Sequence, residues 1–182
     1  MSICGRVAIL VALGLVMSCP QARGQVTIPK AHGTTLAGTT VVLPDALNGK
    51  VGVLVLGFSH GSQGLVAAWG KRLAADFGKS AGVAYYEMPM IGGAPRMIRG
   101  MILKSMGKSV PEAEQPHFLP LMEDDKPWRA VVHYSKADDA YVLLVTGDGT
   151  VLWQTEGDAT DKAWGNLKPR LEKLLVRQNG EH

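Results

Sequence analysis

The sequence predicts an α/β domain, with a central mixed β-sheet and helices on both faces. Three stretches carry that prediction. Residues 51–56 form a short apolar run, rich in branched side chains and stopped by Gly57, as in a parallel strand buried on both faces. Residues 63–77 follow with apolar positions at helical spacing, so strand, turn and helix stand in the order of a βαβ unit. Residues 141–154 hold two β-prone runs around Gly147-Asp148-Gly149, the pattern of a hairpin, and a closing helix comes after it.

Taken in order, the first two dozen residues read as a leader. Arg6 supplies a positive start, an apolar run of about a dozen residues follows, and polar and helix-breaking residues close it, the pattern of a secretory signal. Two processing sites compete. Ala22-Arg23-Gly24 fits cleavage before Gln25, and Val16-Met17-Ser18-Cys19 resembles a bacterial lipobox that would lipidate Cys19. An uncleaved anchor is the third option. The expected organisation is a signal peptide over 1–24 (or a lipoprotein leader to 18), a flexible lead-in over 25–38, one domain over 39–177 and a tail over 178–182.

Within the domain, residues 39–43 form a short β-prone run ended by Pro44, and Asn48-Gly49 marks a turn before the central strand. On the helix over 63–77, Leu65, Val66, Trp69, Leu73 and Phe77 share the buried face, and Gly78 closes it. Residues 83–88 are the second central strand. Pro95 opens a helix over 96–108, with Met97, Ile98, Met101, Ile102 and Ser105 on one face. Residues 110–126 carry Pro111, Pro116 and Pro120 and read as irregular with one helical turn. Residues 128–134, 141–146 and 151–154 read as strands. Asp158 or Thr160 caps the last helix, which buries Trp164, Leu167, Leu171, Leu174 and Leu175.

Composition narrows the chemistry. The 182-residue chain carries a net charge of +3. Removal of Arg6 and Arg23 with the leader leaves 17 basic against 16 acidic residues, so no nucleic-acid footprint is expected. Both cysteines, Cys4 and Cys19, lie in the leader. The domain itself has no thiol for a disulfide or for thiol–disulfide exchange.

Val42-Leu43-Pro44-Asp45-Ala46-Leu47-Asn48-Gly49-Lys50 before a hydrophobic strand resembles the lead-up to the central strand in thioredoxin-like proteins of the peroxiredoxin and thiol-reductase type. Residues 141–157 resemble their closing hairpin, and the likeness spans roughly 39–176. The resemblance implies a thioredoxin-like three-layer sandwich. It also implies a Cys-x-x-Cys pair after the central strand and a cis-proline before the fourth. Here those places hold Ser59-His60-Gly61-Ser62 and Asp138-Asp139-Ala140. Among cysteine-free relatives, Phe58-Ser59, Trp69, Arg96, Arg99, the 141–145 run, Trp153 and Gly157 resemble the assembly factor family for the membrane sector of mitochondrial ATP synthase. That likeness implies chaperone-like binding of a membrane protein, with Ser59, His60, Ser62, Arg96 and Arg99 as binding residues and no cofactor or metal.

Other constellations compete. Gly57-Phe58-Ser59-His60-Gly61 is a G-x-S-x-G pattern between strand and helix, the setting of a hydrolase nucleophile at Ser59. Its base would have to come from His117, His133 or His182, with Asp124 or Asp125 as the acid. The simpler reading makes Ser59 or Ser62 the helix N-cap and His60 a solvated turn residue. Met88, Met90, Met97, Met101, Met106 and Met122 gather in one segment. Thioethers suit Cu(I), line adaptable binding surfaces or fill cores. The helical spacing of Met97 and Met101 favours packing. Arg96, Arg99, Lys104 and Lys108 read as a solvated face that could meet a bilayer, and Asp124-Asp125 and Asp138-Asp139 as solvated loop acids. The leading expectation is an exported, redox-inactive binding or assembly protein at the membrane periphery. A serine hydrolase and a copper-handling protein are the alternatives.

Overall fold

The computed structural model describes residues 24–180. The expected leader up to residue 23, with the lipidation site at Cys19, lies outside them. The elements are β1 (Ala31–Thr34), β2 (Thr40–Leu43), β3 (Val51–Gly57), α1 (Gln63–Phe77), β4 (Val83–Pro89), α2 (Arg96–Ser109), α3 (Lys126–Val131), β5 (Ala140–Val145), β6 (Val151–Glu156) and α4 (Asp161–Gly180).

Four strands form the central sheet in the order β4-β3-β5-β6. β3 pairs parallel with β4 because the chain crosses over through α1 and returns in the same direction. It pairs antiparallel with β5, and the β5–β6 hairpin adds the edge. The sheet is therefore mixed, as expected. All seven residues of β3 are buried, which a strand covered on both faces requires.

The period-two alternation of the strands sorts the core into two layers. Val53, Val55, Val142 and Leu144 face α1 and α4, where Val66, Trp69, Leu73, Trp164, Leu167 and Leu171 meet them. Leu54, Leu56, Leu143 and Val145 face the other way, against the β1–β2 ribbon, Leu47 and Trp128 of α3. The Trp69 indole donates to the Gly157 carbonyl at 2.9 Å and ties α1 to the end of β6. Thr160 is the cap of α4, its hydroxyl accepting the Ala163 N–H at 3.2 Å.

Three expectations are corrected. The 25–38 segment, read as a loose lead-in, contains β1, which pairs antiparallel with β2 from Ala31 opposite Leu43 to Thr34 opposite Thr40. Its burial comes from Ile28, Ala31 and Thr35, small or isolated residues that carry no periodic signal. Residues 128–134 are not a strand. Pro127 stands in the first turn of α3, the Arg129 guanidinium donates to Asp125 at 2.8 Å one turn back, and Trp128 and Val132, four residues apart, are both buried. The β-branched pair Val131-Val132 suggests a strand, but a helix buries the same side chains on one face. Finally, Met97 and Met101 do not pack. They are 96% and 68% exposed, and Met106 is the one buried residue of α2.

The irregular 110–126 stretch holds one 3-10 turn, Gln115–His117. Beyond it the chain runs along the free edge of β4. The Leu119 N–H donates to the Glu87 carbonyl at 2.7 Å and the Leu121 N–H to the Pro89 carbonyl at 3.0 Å. Leu119 and Leu121 are thereby buried, and the sheet edge is covered rather than open.

Candidate functional site

The turn between β3 and α1 lies at the carboxyl end of the central strand, the place where open α/β sheets present their chemistry. Gly57 ends β3, Phe58 is buried, Ser59 is half-buried, His60 is exposed and Ser62 is fully buried at the N-cap of α1. The two serines are bonded to the chain and to each other's backbone. Ser59 Oγ donates to Asp138 Oδ1 at 2.6 Å and accepts the Ser62 N–H at 3.2 Å. Ser62 Oγ donates back to the Ser59 carbonyl at 2.9 Å. Ser62 thus occupies the cap position without capping, and the Ser59 hydroxyl holds the turn closed. A Cβ on Gly61 would stand 2.5 Å from Asp138 Oδ1, so the glycine leaves room for that carboxylate.

Asp138 precedes β5 and was expected to be a solvated acid. It is exposed, yet its carboxylate faces the turn from across the sheet end and anchors Ser59. Sequence reasoning missed this role because the pairing spans 79 residues. The one signal in the sequence was that Asp138 falls in the stretch that the resemblance aligns with a cis-proline.

No histidine meets Ser59 among the described residues. His117 Nδ1 lies 3.2 Å from the Tyr85 carbonyl, and its ring stacks on Tyr85 with centroids 3.9 Å apart. Burial holds its pKa below the usual imidazole value, opposed by the bond to that carbonyl. His133 is an exposed residue with φ 52°. Asp125 is paired with Arg129 rather than with a histidine. Among the described residues the serine, base and acid of a hydrolase are therefore not brought together; His182, the third candidate base, lies outside them.

The other predicted binding residues divide. Arg96 is exposed at the start of α2. Arg99 is used within the fold: Nε donates to the Ala94 carbonyl at 2.8 Å, Nη2 to Gly92 at 2.5 Å and Nη1 to Met122 at 3.2 Å. It stitches the loop before α2 to the 122 segment. Below the turn, Phe58 packs edge-on against Tyr134 and Tyr141 with centroids 5.1 and 5.5 Å away, and the Arg129 guanidinium lies 4.0 Å from the Tyr134 ring centre.

Two clefts flank the turn, with Met106 between them. One, of about 270 Å³, runs past Phe58 and His60 to Arg129. The other, of about 360 Å³, opens between α1 and the end of α2. Its floor holds Glu87 of β4, 3% exposed. Glu87 stands in the alternation Val83, Tyr85, Glu87, whose other members feed the apolar layer under α1. Its carboxyl fills the space where Gly70 of α1 lacks a side chain: a Cβ there would stand 2.0 Å from Oε1. Burial, with a smaller push from Glu114, raises its pKa to about 7 against an opposing pull from Lys71. An acid inside a β-prone run was a visible signal that the sequence reading passed over.

The same architecture occurs in solved structures. The thioredoxin domain of a thiol-disulfide oxidoreductase from Bacteroides vulgatus superposes with a TM-score of 0.54 at 16% identity, covering 81% of this chain and 96% of that one. A member of the Sco family of cytochrome c oxidase assembly proteins gives 0.53 at 17% identity, over 80% and 93%. The exposed lipoprotein thioredoxin of Streptococcus pneumoniae gives 0.55 at 13% identity, over 78% and 99%. The chain therefore has the thioredoxin fold. No family model matches it, and no curated protein matches it in sequence. The turn that the resemblance equates with a redox pair holds serines at both ends, and residues 24–182 contain no cysteine.

Proposed function

We propose that this protein is an exported, redox-inactive thioredoxin-fold protein that binds a protein partner at the membrane periphery, as a chaperone-like assembly factor does. The observation that carries the reading is the state of the β3–α1 turn. A thiolate is the species that attacks a disulfide, and here two hydroxyls bonded to Asp138 and to the turn's own backbone stand in its place. The fold is kept and its electron-transfer chemistry is gone, so recognition is the remaining use of the surface.

The surface beside the turn supports binding. Met97 and Met101 stand on exposed turns of α2 with Ile98 and the cationic Arg96, where an isolated domain would be polar. Methionine side chains adapt to varied apolar partners. The leader expected over 1–24 supplies the route out of the cytoplasm, and a lipid on Cys19 would hold the domain at a bilayer.

The test is affinity capture from detergent-solubilised membranes of cells producing the full chain, with Met97→Ser/Met101→Ser as the control. The reading expects one reproducible protein partner that the control fails to retain. The same proteins recovered by both would contradict it.

A further inference from the structure

The cleft over Glu87 has the size and lining of a small-molecule site, whatever protein the rest of the surface binds. Its walls are apolar: Val66 and Ala67 of α1, Met106 of α2, and Val110, Pro111 and Phe118 beyond it. A cavity of about 360 Å³ accommodates a small organic molecule. Against those walls stand two carboxyl groups, Glu87 on the floor and Glu114, half-buried, at the side. Glu87 is 3% exposed and receives no side-chain hydrogen bond among the described residues; none of their side-chain oxygens is both sealed from solvent and unpartnered, so its carboxyl opens onto the cleft. A carboxylate held in so apolar a setting is poorly solvated, and a cation entering the cleft would offset that cost.

The protein's own cation does not fill that place. Lys71 lines the cleft from α1 but is exposed, and it forms no ion pair with either carboxylate among the described residues. Tyr85 on the same strand has its phenol pKa raised by burial and by the two glutamates, and His117, stacked on Tyr85, has its pKa lowered by burial, so neither favours a charge beside Glu87 near neutrality. The cleft therefore combines hydrocarbon walls with an acidic end that Lys71 offsets only from a distance and that no ion pair neutralises among the described residues.

We propose that this cleft binds an alkylammonium group, its hydrocarbon lying along Val66, Met106 and Phe118 and its charge meeting the carboxylates of Glu87 and Glu114. A free amine and the lysine side chain of a polypeptide share that chemistry. The ligand's charge favours the ionised form of Glu87, so binding releases a proton where the empty site holds one. Because alkylamines stay protonated well above neutrality, affinity should rise about tenfold between pH 6 and pH 8 through Glu87 alone.

The test is titration of the full chain with hexylamine and with N-acetyl-lysine methylamide, followed by calorimetry and by the methyl resonances of Val66 and Met106. Hexanol is the uncharged control. The proposal expects saturable binding of at least one ammonium compound that shifts those methyls, at least tenfold weaker binding of hexanol, and the stated pH dependence. Tighter binding of the lysine compound assigns the site to a polypeptide side chain; tighter binding of hexylamine assigns it to a free amine. Glu87→Gln should weaken the ammonium ligand about tenfold and flatten the pH profile. Glu114→Gln, on a less buried position that leaves the core intact, should weaken it by a smaller factor. Hexanol binding as well as hexylamine, an unchanged affinity in both variants, or no binding by either ammonium compound would overturn the proposal.

Discussion

Glu87→Gln should stabilise the protein at alkaline pH and do little at acid pH. The carboxyl sits in an apolar layer with its pKa raised from 4.5 to about 7. An acid whose folded pKa exceeds its unfolded value holds its proton more tightly in the fold. Its penalty is absent below the unfolded value, grows as pH rises from about 4.5, and is complete above about 7. At pH 8 the wild-type carboxylate then costs the fold about 3 kcal/mol, against under about 1 kcal/mol at pH 5. The glutamine keeps the shape and removes the charge. Packing differences between the two side chains do not depend on pH, so they cancel when the effect of the substitution is compared at the two pH values. That difference should be about 2.5 kcal/mol, or roughly 5–10 °C in melting temperature for a domain of this size. Urea titrations of both proteins at pH 5 and pH 8 measure it. A difference below about 0.5 kcal/mol would refute the burial argument, because it would mean that Glu87 reaches water or a counter-charge in the folded protein.

Other predictions test neighbouring parts of the account. Gly70→Ala places a methyl group where Glu87 Oε1 now lies; the substitution should cost roughly 1–3 kcal/mol in urea unfolding, and the cost should shrink in a Glu87→Ala background. Ser59→Ala removes the donor to Asp138 and the acceptor for the Ser62 N–H, with an expected loss of about 1–2 kcal/mol in the same assay. Ser59→Cys/Ser62→Cys places two thiols at the start of α1; the pair should close as a disulfide under oxidising conditions and reduce insulin, whereas the wild-type domain should not. Met97→Ser/Met101→Ser should change stability by less than about 0.5 kcal/mol, since both side chains are mostly exposed; a larger loss would mean that they pack.

What could be read before the fold was known follows a physical divide. The central strand, α1, the hairpin and α4 were legible because each carries its own periodicity, and the fold class followed from their order. The β1 ribbon was missed because only the small Ala31 is buried in it and Gly33 is half-buried; a side chain on Gly33 would meet Leu119 at 2.7 Å, a contact made 86 residues away in sequence. α3 was misread because Val131-Val132 fits a strand as well as a helix, and the Arg129–Asp125 pair that favours the helix is one weak local signal. At the site, the serine turn was found, but its partner Asp138 and the neighbouring Glu87 were not. Both act through contacts across the sheet end. Arg99, read as a ligand-binding cation, spends its donors on three loop carbonyls, which no spacing rule reveals.

Site-specific photo-crosslinking tests the central claim most directly. A photoreactive residue placed at position 97 on α2, or at position 60 in the β3–α1 turn, should give one discrete protein adduct in intact membranes, while the same residue at position 172, on the solvent side of α4, should give none. Equal adducts from all three positions, or none from positions 60 and 97, would contradict a recognition role for this face of the fold.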